Sequence, residues 1–155
     1  MGSVSRAATT RYSLTDLFRM KTLFLDFDGV LHTMSDQEYR PFNRLPLIEE
    51  LKDVAAFEVV ISSSWRFHFE LASIKARLGR LSDCVVGTTG EAIQDRHARY
   101  LEIAAYASDY QLKDWRALDD AHWEFPEGVE QLIACDPKLG VTEREVRLLR
   151  DWLLT

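Results

Sequence analysis

Glycine and proline are scarce in this chain, with 7 and 4 of 155 residues, and cysteine is scarcer at 2. That excludes collagen-like, low-complexity and disulfide-scaffold chains. Cys84 and Cys135 sit in apolar runs and fit buried reduced thiols of an intracellular protein, and their spacing demands no disulfide. Histidine is also sparse. His32, His68, His97 and His122 share no metal-ligand spacing and read as surface residues, with a substrate contact left open for His32. Apolar runs stop at about five residues, against the ~20 that a membrane-crossing helix needs. The first residues lack the apolar core of a signal peptide, and Arg6 stands where myristoylation wants Ser or Thr. A cytoplasmic location with no membrane partner is expected. Positive charge is in deficit, with 19 Lys and Arg against 25 Asp and Glu and a net charge of −6. Proteins that wrap nucleic acid non-specifically are usually basic instead.

What the chain does have is enough apolar residue, 46%, and enough length to close one core. Residues 1–20 are polar and aperiodic, and are expected to form a loose arm before a domain over 21–155. From Lys21 onward short apolar runs alternate with helical spacing. Strands are expected at 22–25, 57–61, 84–86, 115–118 and 131–135. Between them, Leu47, Ile48, Leu51, Val54 and Ala55 recur at helical spacing behind Pro46. A helix is expected from about Trp65 to Leu78, ended by Gly79, and another over 99–107. Thr142-Glu143-Arg144-Glu145 is a capping box that opens a last amphipathic helix. The alternation predicts an α/β domain with a mainly parallel sheet.

Ligands of such sheets bind beyond the carboxyl ends of the strands. Three expected strands end there in aspartate, at Asp26, Asp119 and Asp136, and a fourth ends in Ser62. Converging carboxylates repel unless a cation joins them, and oxygen ligands without His or Cys suit Mg²⁺. In Asp26-Phe27-Asp28-Gly29, the first carboxylate is placed to attack phosphorus as well as to bind metal. Asp28 is placed to protonate a leaving oxygen and then to deprotonate water. A plain strand closed by an Asp-Gly turn explains the same four residues. Asp136 reads as a turn or cap with Pro137, Trp65 as core packing, and Arg77, Arg80, Arg96 and Arg99 as a solvated helix face or a cationic rim.

Taken in order, these segments resemble the haloacid dehalogenase-like (HAD) phosphohydrolase superfamily. Its first motif is matched by Leu23-Phe24-Leu25-Asp26-Phe27-Asp28-Gly29-Val30, its second by Val59-Val60-Ile61-Ser62, and its fourth by Leu118-Asp119-Asp120. Its third, a basic residue at a helix start, is matched by Arg99, with Arg96 as the alternative. Asp-Phe-Asp-Gly-Val-Leu-His, Ile-Ser-Ser-Ser-Trp-Arg and Ala-Leu-Asp-Asp resemble a small bacterial branch, related to the HAD domain of Swiss army knife RNA repair proteins. The likeness covers residues 21–150.

The resemblance implies a three-layer Rossmann-like fold and a phosphatase acting through an aspartyl-phosphate. It makes Asp26 the nucleophile and Asp28 the general acid and base. Ser62, with Ser63 as the alternative, and Arg99 would contact the phosphoryl group. Mg²⁺ would be held by Asp26, Asp119, Asp120 and the main-chain carbonyl of Asp28. Only 33 residues separate Asp28 from Ser62, which leaves no room for a cap domain. An open site suits phosphorylated RNA, DNA or protein ends. A metal- or phosphate-binding module without catalysis, and a phosphotransferase, are the competing readings.

Overall fold

A computed structural model describes Leu14 and residues 20–35 and 38–155. The expected N-terminal arm, apart from Leu14 and Met20, lies outside the described residues. The elements are β1 (Lys21–Leu25), α1 (Leu45–Glu49), β2 (Phe57–Ile61), α2 (Leu71–Lys75), β3 (Val85–Thr88), α3 (Ala98–Asp109), β4 (Trp115–Asp119), β5 (Leu132–Ala134) and α4 (Glu143–Leu153). The five strands form one parallel sheet in the order β3-β2-β1-β4-β5. Leu25 pairs with Ile61 on one side and with Leu118 on the other, so these three strands end level with one another.

Alternation along the strands sorts their side chains into two cores. Leu23, Leu25, Val59, Ile61 and Leu118 face a layer containing α1, α2 and α4, through Ile48, Ile74 and Leu149. Phe24, Val60, Val86 and Ala117 face α3, through Ile103, Tyr106 and Ala107. Both sheet faces are therefore covered, which is why β1 and β2 read as almost continuous apolar runs. The result is a three-layer α/β domain of Rossmann type.

Most departures from the sequence reading fall between β2 and β3. The single helix expected over 65–78 is instead a 3₁₀ turn at Ser64–Phe67, the short α2, and a second 3₁₀ turn at Gly79–Cys84. Ser63 begins the first turn by accepting from the Trp65 backbone N–H at 3.2 Å. Gly79 takes a left-handed φ of +50°, where an added Cβ would lie 2.6 Å from Glu49 Oε2. That Glu49 oxygen accepts from Arg80 N, fixing the turn against α1. Val85 rather than Cys84 begins β3, and both cysteines are free thiols, Cys135 buried and Cys84 half-buried. No helix of the described residues is long and apolar enough to cross a membrane.

The capping box at α4 is complete. Thr142 accepts from Arg144 N at 3.3 Å, and Glu145 Oε2 accepts from Thr142 N at 2.8 Å. Thr142→Ala is expected to lower stability by about 1 kcal/mol. Urea unfolding would show this as an earlier midpoint with an unchanged slope.

Candidate active site

The level ends of β1 and β4 bring Asp26 and Asp119 together, and the next residue adds Asp120. One carboxylate oxygen from each lies within 4.8 Å of the other two. Asp26 and Asp119 are buried and Asp120 is half-buried. All three donors are carboxylate oxygens, the type that hard divalent cations take.

Arg99, in the first turn of α3, answers this charge. Its Nη1 lies 2.8 Å from Asp119 Oδ2 and 3.3 Å from Asp26 Oδ1. Burial works against the Arg99 charge, but Asp119 and Asp26 outweigh it and hold the guanidinium pKa above its ordinary value. One arginine does not balance three acids. Burial, then the Asp26 charge, push Asp119 up to about 8 against the opposing pull of Arg99 and the Ala121 N–H. Burial and Asp26 likewise raise Asp120 to about 7.

Asp28 is placed differently. A turn with Val30 N and Leu31 N bonded to Phe27 O folds the chain back, and Gly29 N then donates to His32 O at 3.0 Å. The Asp28 carboxylate accepts from His32 Nε2 at 2.7 Å and from Trp65 Nε1 at 3.2 Å. Gly29, at φ +75°, is the pivot. An added Cβ would lie 2.2 Å from Asp120 Oδ2, so the glycine makes room for the acidic cluster.

At the end of β2 the serines separate by partner. Ser63 Oγ is engaged with Trp65 N, whereas Ser62 Oγ, buried, has no hydrogen-bond partner among the described residues. Of the two candidate cations, Arg99 reaches the cluster, while Arg96 is exposed and its backbone N–H bonds Asp95. Arg66 is committed elsewhere. It donates to Ser62 O at 2.8 Å, Ser63 O at 3.1 Å, Gly90 O at 3.0 Å and Glu102 Oε1 at 2.7 Å. Arg77 lies over Phe69, and Arg80 pairs with Asp53, so neither forms a rim with Arg99. Asp136 closes a turn, its Oδ1 accepting from Lys138 N at 2.9 Å.

Two residues against Asp28 escaped the sequence reading. His32, which the sequence reads as a surface residue with a substrate contact left open, is wholly buried. Trp65 was expected only to pack, and it also donates. The one local signal was their nearness in sequence to Asp28 and to the serine run. Beside Asp120 opens a groove of about 640 Å³, whose lining includes His122, Trp123, Asp136, Leu139 and Arg144.

In the unfolded chain the aspartates titrate near about 4, so between that pH and about 8 the folded chain binds more protons. Protonation therefore stabilises the fold fully below about pH 4. That stabilisation is lost as the pH rises through the folded values. Thermal unfolding in chelator is expected at falling temperatures from pH 5 to pH 8, with the fall reduced by millimolar Mg²⁺. Gly29→Ala is expected to weaken Mg²⁺ binding and to lower stability by about 1–2 kcal/mol through strain at positive φ, as calorimetry and urea unfolding would show.

A family model described as the HAD domain in Swiss Army Knife RNA repair proteins matches residues 22–146. No curated protein and no solved structure matches the chain.

Proposed function

The chain belongs to the family of HAD domains found in Swiss Army Knife RNA repair proteins, and from that membership and the site's geometry we propose that it is a metal-assisted phosphomonoester hydrolase. Phosphohydrolase-type chemistry is what the family suggests. The observation that carries the proposal is the gathering of Asp26, Asp119 and Asp120 within 4.8 Å against one arginine, with Asp28 held apart by the ring N–H groups of His32 and Trp65. A binding site alone has no use for that fourth, separately held carboxyl.

In the reaction we propose, Asp26 attacks phosphorus to form an aspartyl-phosphate, and Asp28 protonates the leaving oxygen. Asp28 then takes a proton from the water that hydrolyses the intermediate. Arg99 offsets charge on the phosphoryl oxygens, and the unpartnered Ser62 hydroxyl donates to one of them. Mg²⁺, bound by Asp26, Asp119, Asp120 and the Asp28 main-chain carbonyl, would neutralise charge on the phosphoryl group.

With only a flap of residues 26–44 between β1 and α1 and no room for a cap domain, we read the site as open to bulky substrates. The groove beside Asp120, with Trp123 at 61% exposure, adds room for an attached chain. We favour phosphorylated nucleic-acid ends, consistent with the RNA repair setting of the family.

The test is phosphate release from an aryl phosphate and from phosphorylated RNA, DNA and peptide ends, with Mg²⁺ or with chelator. Release is expected only with the metal. Asp26→Asn is expected to abolish it by about three orders of magnitude or more. Activity unchanged in that variant would sink the mechanism. Metal binding without release from any ester would make the chain a binding module instead.

A further inference from the structure

Asp28 differs from the other site carboxylates in how it is held. Its side chain is 39% exposed, against 8% for Asp26 and 1% for Asp119. Water alone could solvate a carboxylate so open. Instead it takes donors from two side chains of different segments, the flap and the turn after β2.

Both donors are locked in place. The Phe42 backbone N–H donates to His32 Nδ1 at 3.3 Å, which leaves the ring proton on Nε2, 2.7 Å from Asp28 Oδ1. The wholly buried imidazole is boxed by the rings of Tyr39, Phe42 and Trp65 at 5.2, 5.4 and 6.1 Å. Trp65 is wedged in turn by Phe27, Phe42 and Phe69 at 5.7, 5.3 and 5.0 Å. Neither donor swings away without moving several packed rings.

We propose that His32 and Trp65 are positioning residues that aim Asp28 for proton transfer, an inference that rests on the phosphatase reading above. In the first half of that reaction an Asp26 oxygen bonds to phosphorus while the bond from phosphorus to the leaving oxygen breaks. The proton of the Asp28 carboxyl goes to that leaving oxygen. In the second half a water oxygen bonds to phosphorus and its proton goes to the Asp28 carboxylate. The Asp26–phosphorus bond then breaks, releasing phosphate and restoring both aspartates. Oδ1 carries both donors and Oδ2 only the tryptophan, so Oδ2 is the oxygen that handles the proton.

Two esters separate aiming from mere packing. An alkyl phosphate needs its leaving oxygen protonated, whereas dinitrophenyl phosphate loses a stable phenolate without help. Trp65→Phe keeps the ring and removes the N–H. It is expected to lower kcat/KM about tenfold or more further on the alkyl ester than on the dinitrophenyl ester. On the dinitrophenyl ester kcat and KM are expected to fall in parallel, because hydrolysis of the aspartyl-phosphate still needs Asp28 as base. His32→Leu should repeat this pattern, and His32→Gln, which keeps an N–H near the Nε2 position, should recover most of the loss. If His32→Leu fails to fold, Trp65→Phe still decides the matter. Equal losses on the two esters, or none on either, overturn the positioning role alone. An unaltered chain inert in Mg²⁺ towards both esters and towards phosphorylated RNA, DNA and peptide ends overturns the phosphatase reading and this role together.

Discussion

Like charges forced together at one sheet edge are the constraint from which the rest of the site follows. At separations of 4.8 Å or less among Asp26, Asp119 and Asp120, each fully charged pair costs about 3.5 kcal/mol or more at an effective dielectric of about 20. The backbone offers no escape. Parallel pairing fixes Leu25 beside Leu118, and the residues that follow emerge at the same level. Arg99, raised protonation of Asp119 and Asp120, and the room left by Gly29 are three local responses to one crowding. A divalent cation would be a fourth, and the only one that lets all three acids stay charged.

Much of this was legible in the chain itself, because strand ends and chemistry coincide. An apolar run stopping at Asp26, another at Ser62 and a third at Asp119 already place those residues on one edge once the sheet is parallel. The same alternation that buries Phe24 on one face and Leu25 on the other makes the strands readable. The segment from Trp65 to Cys84 was less legible. Helical spacing of Leu71, Ile74 and Leu78 is real, but Ser63 starts a tighter turn and Gly79 requires positive φ. Local hydrogen bonds there outcompete a continuous helix.

The roles of His32 and Trp65 were not legible for a different reason. Trp65 reaches Asp28 only through a contact between segments more than thirty residues apart, and His32, although four residues from Asp28, is packed against the Trp65 ring by that same contact. Composition cannot distinguish a histidine buried against a carboxylate from one in solvent. The sequence alone also left Ser62 against Ser63, and Arg99 against Arg96, open. The structure distinguishes the members of each pair by placement: Ser63 Oγ is taken by Trp65 N while Ser62 Oγ is not, and Arg96 is exposed while Arg99 reaches Asp26 and Asp119.

Arg66 has a consequence beyond its own burial. Its guanidinium ties the carbonyls of Ser62 and Ser63 to Glu102, which sits one turn beyond Arg99 on α3. Glu102 also accepts from Ile93 N, so the link reaches the segment leading into that helix. The Ser62 hydroxyl and the Arg99 guanidinium are thereby built into one rigid frame across the sheet. In the proposed reaction these two groups act as the jaws of a fixed calliper. On that proposal the gap between them is set before any substrate arrives, and the chain would measure a tetrahedral anion instead of moulding itself around one.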